Sequence, residues 1–145
     1  MRVQLALNVR DLDEAVAYYS KLFAAEPAKR RPGYANFALD HPPLKLVLLE
    51  VPDAPERLNH LGVEVFEQAD VDAAIERLQA AGIAGEIEVD RTCCYARQDK
   101  VWSADPQGAR WEFYRVLADA DGFGEAPAPP PAAPEPAAGA GCGCS

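Results

Sequence analysis

The sequence lacks three features that would each place it in a broad class. It has no apolar run of the about 20 residues that a membrane span needs, so we expect no membrane insertion. Basic residues are in the minority: 14 Lys and Arg stand against 23 Asp and Glu, for a formal net charge of -9. Such a chain repels phosphate backbones, which argues against nucleic acid as a partner. No signal-peptide pattern follows Met1, so we expect a cytoplasmic protein.

Histidine and cysteine are scarce as well. The chain has two His and four Cys among 145 residues. In the cytoplasm the thiols should be reduced, and therefore available for metals or for chemistry. One histidine, His41, stands before Pro42-Pro43 and is expected in a surface loop. The remaining composition, 49% hydrophobic and 26% charged, is ordinary for a globular protein of this length.

The chain contains an internal repeat. Residues 60–65 align without a gap beneath residues 4–9, and both segments alternate as half-buried strands do. A helix is predicted after each strand, beginning near Asp11, which forms a possible capping box with Glu14, and near Asp70. Further strands are predicted at 34–39, 44–50, 86–89, 100–104 and 110–116. Unless two unrelated β-α units happen to look alike, each half reads β-α-β-β-β, which predicts an α+β fold of two modules.

The composition changes near residue 119. We predict one domain over residues 1–118, with its modules at about 1–55 and 56–118. After Glu125 the chain is rich in Pro, Ala and Gly, a composition that cannot bury enough apolar surface to fold. Residues 119–145 are therefore predicted to be a disordered tail, which carries Cys142 and Cys144 near its end.

Three polar residues together predict a metal site. His60 occupies the repeat position of Gln4, and both should point away from the aliphatic residues that pack under the helices. Glu112 lies in a mostly apolar and aromatic strand, where an isolated buried carboxylate is strongly disfavoured and a metal ion is one stabilising partner. One imidazole, one carboxylate and one amide oxygen form an open three-ligand set. It suits iron(II) best, with manganese, cobalt, nickel or zinc as alternatives.

Each of these residues also has an ordinary structural explanation. Taken alone, His60 is more often a hydrogen-bonded core or loop histidine, and Gln4 a solvated residue. Glu112 could pair with Arg110 or Lys45 instead of a metal ion. The symmetry of Gln4 and His60 within the repeat is what favours the metal site.

Paired βαβββ modules with ligands on the inward face resemble the vicinal oxygen chelate superfamily, which includes glyoxalase I, bleomycin-resistance proteins and extradiol dioxygenases. The resemblance covers about residues 1–118 and implies a cupped mixed sheet. Ligands in that family come from the first and last strands of the modules, as Gln4, His60 and Glu112 would here. The other last-strand position, near Val47, is apolar, which disfavours the four-ligand glyoxalase I pattern. Family members pair modules within or between chains, which leaves a homodimer open.

The adjacent thiols of Cys93 and Cys94 form a second candidate feature. Neighbouring cysteines are poorly placed to bond with each other, so a structural disulfide is not expected. Arg91, Arg97 and Lys100 would favour thiolates. Two soft thiolates suit a thiophilic centre such as a trivalent arsenical or cadmium. The alternative is a pair of small buried hydrophobic side chains, which free cysteines often are.

Four segments together resemble one subfamily, the organoarsenical C–As bond lyases and related cadmium-induced proteins: residues 3–9, 32–37, 58–65 and 92–96. The resemblance implies an iron(II)-dependent dioxygenase that uses molecular oxygen to remove methyl or aryl groups from trivalent organoarsenicals, releasing arsenite in arsenic detoxification. It also implies that Cys93 and Cys94 hold the arsenic, while Gln4, His60 and Glu112 hold iron(II) as the catalytic centre.

Two other functions stay open at this point. A binding protein without turnover would sequester cadmium or trivalent arsenic through its thiols and would not need His60. Another vicinal oxygen chelate enzyme would act on a small organic substrate or an antibiotic, but that leaves Cys93-Cys94 unexplained. The tail cysteines, Cys142 and Cys144, could capture arsenic or be dispensable.

Overall fold

In the computed structural model, which describes residues 1–124, two helices pack on one face of an eight-stranded sheet. The elements are β1 (Arg2–Val9), α1 (Leu12–Phe23), β2 (Lys29–Arg31), β3 (Tyr34–Asp40), β4 (Pro43–Glu50), β5 (Leu58–Glu64), α2 (Gln68–Ala80), β6 (Ile87–Cys93), β7 (Ala96–Ala104) and β8 (Arg110–Asp119). Each half supplies one β-α-β-β-β run, which confirms the predicted α+β fold of two modules.

The two modules meet at the centre of the sheet, whose strand order is β2-β3-β4-β1-β5-β8-β7-β6. The first strands of the modules, β1 and β5, pair antiparallel, with Gln4 opposite Gly62. Each first strand also pairs parallel with the last strand of its own module, β1 with β4 and β5 with β8. The sheet is therefore mixed, and the strands that carry Gln4, His60 and Glu112 are neighbours.

The alternation of side chains along β1 separates the core from the opposite face. Leu5 and Leu7 pack with α1, whose buried residues are Leu12 and Val16. The same core contains the fully buried Phe37, and a side chain of that size contributes roughly 1.5–3 kcal/mol when buried. In the second module, α2 packs through a smaller cluster of Ala74, Leu78 and Val101. The opposite face of the sheet carries buried polar side chains together with a small apolar cluster of Ala6, Tyr34, Val47 and Leu49.

The two helices begin differently. Asp11 is the N-cap of α1 and accepts a hydrogen bond from the Glu14 amide at 2.9 Å, as the sequence predicts. The second helix begins at Gln68, two residues before the predicted Asp70, and its N-cap Glu67 makes no side-chain capping bond. The repeat in sequence therefore gives the position of α2 but not its first residue.

The structure contains ordered segments that the sequence does not predict. The short β2 pairs with β3 at the sheet edge and has no alternation that would mark it as a strand. Residues 119–124, assigned to the tail by composition, continue the fold: the Ala120 amide donates to the Tyr95 carbonyl at 2.9 Å, and the Cys94 amide donates to the Phe123 carbonyl at 2.7 Å. The rest of the predicted tail, with Cys142 and Cys144, lies outside the described residues.

Candidate functional site

The structure brings Gln4, His60 and Glu112 together at the middle of the sheet. Gln4 Nε2 donates to Glu112 Oε1 at 2.7 Å and lies 3.1 Å from His60 Nε2. His60 Nε2 is 3.2 Å from Glu112 Oε1. All three side chains are buried, so their polar atoms converge on one point away from bulk water.

Gly62 makes room for this convergence. A Cβ at this position would lie 3.0 Å from Glu112 Cγ and 3.2 Å from Gln4 Nε2. Contacts that short require the neighbouring side chains to shift, so the absence of a side chain on β5 allows the amide and the carboxylate to meet across it. The glycine is part of the site, although the sequence gives no direct signal for it.

His60 is oriented by its neighbour Asn59. The ring atom Nδ1 lies 2.7 Å from Asn59 Oδ1, and Asn59 Nδ2 donates in turn to Asn8 Oδ1 at 3.0 Å. A hydrogen bond to an amide oxygen requires the proton to be on Nδ1. In the neutral imidazole the Nε2 lone pair therefore faces Glu112 and Gln4, whereas a protonated imidazole donates from Nε2 to Glu112.

Lys100 is the ionic partner of Glu112. Its Nζ donates to Glu112 Oε2 at 2.8 Å, and its side chain is only 1% exposed. The pairings with Arg110 or Lys45 that sequence leaves open are not the ones found: Lys45 pairs with Glu64 at 3.2 Å, and Arg110 lies over the Trp102 ring. One carboxylate oxygen is thus occupied by the ammonium, and the other faces the amide and the imidazole.

The Lys100 pairing also decides the charge of Glu112. Burial alone would raise the pKa of Glu112, but the Lys100 ammonium and the His60 contact outweigh it and lower the pKa to about 2. Glu112 is therefore an anion at any physiological pH. A buried lysine beside a buried carboxylate was missed by sequence reasoning; the available signal is that Lys100 shares a strand face with Gln98 and Trp102.

Val47 holds the position of a fourth ligand. Across the parallel pair β1–β4 it lies opposite Ala6, just as Glu112 lies opposite Gly62 across β5–β8. Ala6 and Gly62 are the repeat-related residues of the two first strands. The side chain of Val47 is buried and has no atom that could bind a metal ion.

Cys93 and Cys94 lie where β6 turns into β7. Cys93 pairs with Ala96, and the two residues between them, Cys94 and Tyr95, have φ of 54° and 61°. A two-residue hairpin turn with two positive φ values matches the right-handed twist of the two strands that it joins. The residues on either side of this turn are strand, and the turn brings the two sulfur atoms to 3.3 Å from each other.

The two thiols differ in acidity. The pKa of Cys93 is lowered to about 7, first by the hydrogen bond with Cys94 and then by Lys100, against the opposing effect of burial. The pKa of Cys94 is raised, because its thiol hydrogen-bonds the Cys93 sulfur and is buried. Of the three cations that sequence places near the thiols, Lys100 has this effect, whereas Arg97 pairs with Asp90 at 2.6 Å.

Two of the three metal-ligand candidates, His60 and Glu112, share one cavity with the thiols. A cavity of about 400 Å³ is lined by His60 and Glu112 on one side and by Cys93 and Cys94 on another. Its remaining wall is largely apolar, with Leu49, Val51, Trp102 and Phe123. His41, the other histidine, is exposed between β3 and β4 and is not part of this wall.

Within residues 1–124, no group of three or more His, Cys, Asp or Glu side chains is arranged for a metal ion. The converging set has two such residues, and its third member is an amide. Neither helix of the described chain is long and apolar enough to cross a membrane.

Comparison with known proteins assigns the family. A family model described as the Glyoxalase/Bleomycin resistance protein/Dioxygenase superfamily matches residues 2–113. The chain belongs to this superfamily. The Mn(II)-bound glyoxalase from Novosphingobium aromaticivorans has the same fold as this superfamily member, with a TM-score of 0.60 at 21% identity over 81% of this chain and 39% of that one.

Two relatives are much closer in sequence. The "Cadmium-induced protein CadI" of Mycobacterium tuberculosis is 62% identical over 122 residues, covering 84% of this chain and 80% of that protein. The "Trivalent organoarsenical cleaving enzyme" of Thermomonospora curvata is 56% identical over 121 residues, covering 83% and 80%. The superfamily member described here is therefore similar to one protein named for cadmium and to another named for organoarsenical cleavage.

Proposed function

We propose that this chain is an iron(II)- and oxygen-dependent enzyme that cleaves the C–As bond of trivalent organoarsenicals, methyl or aromatic, and releases arsenite in arsenic detoxification. One observation carries the proposal: His60 and Glu112, which converge with Gln4, line the same cavity as the Cys93-Cys94 thiols. The similarity to an organoarsenical cleaving enzyme at 56% identity supports the substrate class.

The thiols are suited to hold the arsenic of the substrate. With sulfur atoms 3.3 Å apart, both can bind one arsenic atom, each replacing a hydroxyl group that leaves as water with the thiol proton. Cys93, with a pKa of about 7, supplies the first thiolate at neutral pH. The carbon substituent then remains on arsenic, in a cavity whose apolar wall suits a methyl or aryl group.

The three converging residues fit iron(II). His60 presents the Nε2 lone pair, Glu112 presents one anionic oxygen, and rotation of the Gln4 amide by half a turn presents its oxygen in place of its nitrogen. Three protein ligands leave positions for other molecules, and the bound iron would supply activation of molecular oxygen. Lys100 holds Glu112 by one oxygen only, which favours a single bond from Glu112 to the metal.

Holding the C–As bond near the metal position replaces an encounter between three molecules by a preset arrangement. For methylarsenite the overall reaction balances with one oxygen molecule: CH3As(OH)2 and O2 give As(OH)3 and formaldehyde. No external reductant is required in this balance.

The second candidate function is a cadmium- or arsenic-binding protein without turnover. It is favoured by the 62% identity to a cadmium-induced protein and by the close pair of thiols. This function does not account for the buried His60, whose Nε2 faces Gln4 and Glu112 and makes no hydrogen bond with a thiol in the described chain.

The test is arsenite release from methylarsenite by anaerobically purified protein with added iron(II), assayed with and without oxygen. We expect release only with both, together with an equal amount of formaldehyde. The paired variants Cys93→Ser and Cys94→Ser should lose it, whereas His41→Ala, at the exposed histidine, should keep it. Oxygen-independent release, or full activity without both thiols, would contradict the proposal; binding without turnover that survives His60→Ala would support the second function.

A further inference from the structure

The cavity that contains the thiols has a fixed positive charge on its wall. Arg110 lines this cavity together with His60, Glu112 and the two cysteines, and it is the one Lys or Arg side chain among the described residues of the wall. A guanidinium keeps its charge at every physiological pH. The formal net charge of the whole chain is -9, so a cation at this place is a local departure from an acidic protein. The proposed function gives this cation no role.

The guanidinium of Arg110 has hydrogen-bond donors to offer to a ligand. Within residues 1–124 it makes no hydrogen bond or ion pair, and it lies over the Trp102 ring, with Cζ 4.2 Å from the ring centroid. A guanidinium stacked on a ring keeps N–H groups at its edge that can donate. Lys45, which stands two residues before Val47 as Arg110 stands two before Glu112, is instead paired with a carboxylate at 3.2 Å.

Trp102 is a rigid support for the guanidinium. The Trp102 side chain is buried, and its Nε1 donates to Glu88 Oε1 at 2.9 Å. The same ring packs edge-on against His60, with 5.4 Å between the ring centroids. Arg110 is itself half-buried. Because its side chain is held before a ligand arrives, binding loses less conformational freedom than it would at a mobile arginine.

The carboxylates of the same wall do not neutralise Arg110. Glu112 is paired with Lys100 at 2.8 Å. Glu50 Oε2 accepts a hydrogen bond from the Leu12 amide at 2.7 Å, at the start of α1. Neither carboxylate forms an ion pair with Arg110 in the described chain. An acceptor for this guanidinium therefore has to come from a molecule in the cavity.

The position of Arg110 suits an aryl group better than a methyl group. Arg110 and Glu112 lie on the same face of β8, two residues and about 7 Å apart along the strand. That separation is comparable to the length of a benzene ring with its substituents. A methyl group on arsenic is short and has no acceptor for a guanidinium. An aryl group extends further, and an anionic oxygen group on its ring can accept two N–H bonds from one arginine.

We propose that Arg110 is a specificity residue that selects trivalent arsenicals whose aryl group carries an anionic oxygen substituent, such as a carboxylate. This inference rests on the proposed function, because the thiols fix the arsenic and leave its organic group in the cavity. The apolar side chains of Leu49, Val51 and Phe123 contact the ring, and Arg110 pairs with the substituent. The site thus distinguishes one class of aromatic arsenical from unsubstituted aryl and methyl arsenicals.

The test compares the binding of para-carboxyphenylarsonous acid with that of its neutral, nearly isosteric amide, para-carbamoylphenylarsonous acid. The full-length chain carries Cys142→Ser and Cys144→Ser, so that arsenic binds at Cys93 and Cys94, and the titration uses neither iron nor oxygen. Isothermal titration at neutral pH gives the two dissociation constants. We expect the carboxylate to bind about 10-fold more tightly than the amide, the effect of a hydrogen bond to a charged group. Arg110→Met should abolish this preference.

The ratio of the two dissociation constants cancels any general effect of a substitution on folding or on the thiols. Arg110→Lys keeps the charge but not the two parallel donors, so it should keep part of the preference. The matched control is Arg77→Met on α2, which removes an arginine that lies 5.2 Å from the Phe113 ring and outside this cavity, and it should leave the ratio unchanged.

Equal binding of the two arsenicals by the parent chain, or a preference that survives Arg110→Met, would overturn the inference. A preference for the carboxylate that is lost equally in Arg77→Met would overturn it too, because the cause would then be the overall charge. Cleavage is measured separately, with iron(II) and oxygen. Binding with the expected preference but without C–As cleavage would count against the proposed function alone.

Discussion

The strand pairing relates positions in the first module to positions in the second. Val47 and Glu112 are equivalent, because they face the equivalent residues Ala6 and Gly62. From this pair outward, Asn36 corresponds to Trp102, since Asn36 pairs with Val47 and Trp102 pairs with Glu112. In the same way Leu49 of β4 corresponds to Tyr114 of β8, and Tyr34 corresponds to Lys100.

The two cavities are related by the same equivalence. A cavity of about 240 Å³ is lined by Asn36, Lys45 and Tyr114, and the cavity that contains the thiols is lined by their counterparts Trp102, Arg110 and Leu49. The repeat has thus kept the backbone and the outline of the cup while the side chains have become different on the two sides.

The largest expected effect concerns the buried ion pair of Glu112 and Lys100 in the second module. Glu112→Val gives it the side chain of its first-module counterpart, but leaves Lys100 buried without its carboxylate. Removing one partner of a buried ion pair costs about 3–5 kcal/mol, which urea denaturation would measure as a lower free energy of unfolding. The variant Glu112→Val with Lys100→Met should recover most of that loss, because an apolar pair of similar volume is often neutral. A double variant no more stable than the single one would show that the ion pair is not the cause.

The next effect compares Gln4 of β1 with His60 of β5, the equivalent residues in the first strands of the two modules. His60→Gln gives β5 the same residue as β1, leaving two amides and one carboxylate. We expect arsenite release and iron(II) affinity to fall by more than about 100-fold, since even the partners of metal ligands contribute about 10- to 100-fold. Gln4→His makes the opposite change, to two histidines and a carboxylate, and should still bind iron(II) in anaerobic dialysis. Equal metal binding by wild type and His60→Gln would remove this histidine from the site.

A smaller effect concerns Lys100, which helps to lower the pKa of Cys93. Because the pKa of Cys93 is lowered to about 7, its alkylation by iodoacetamide should stay fast down to about pH 7 and slow below it. Lys100→Met should move this midpoint upward, and Cys94→Ala should move it further, since Cys94 is the larger cause. Peptide mass spectrometry after timed alkylation gives the rate at Cys93. A midpoint that is unchanged in both variants would show that neither group stabilises the thiolate.

The same pKa gives the sign of a stability effect. The folded chain favours the Cys93 thiolate relative to the unfolded chain, so this group stabilises the fold at high pH. That contribution is lost as the pH falls through about 7. Cys93→Ser should therefore flatten the dependence of unfolding free energy on pH in this range.

Much of the architecture could be predicted from sequence because it follows from local patterns. Alternation in β1 and β5, the Asp11 cap and the recurrence of strand and helix give two modules and place Gln4 and His60 at equivalent positions. The convergence of these residues with Glu112 follows from the repeat once the first and last strands of each module are taken as neighbours. The superfamily follows from the same arrangement.

The missed features depend on pairings distant in sequence. Whether Glu112 meets Lys100, Lys45 or Arg110 depends on register and side-chain direction, which neither composition nor spacing determines. The need for a glycine at residue 62 appears only when two other strands bring side chains across it. The edge strand β2 is stabilised by β3 and not by a pattern of its own.

The smallest expected effect compares the two helix starts. Asp11→Ala removes the carboxylate that accepts the Glu14 amide and should lower the free energy of unfolding by about 1 kcal/mol. Glu67→Ala, at the corresponding N-cap of α2, removes no side-chain capping bond and should change it by less than about 0.5 kcal/mol. Urea denaturation of both variants at neutral pH gives the comparison. If the two losses are equal, the cap of α1 does not stabilise its helix more than that of α2, and the difference between the modules is confined to the cup.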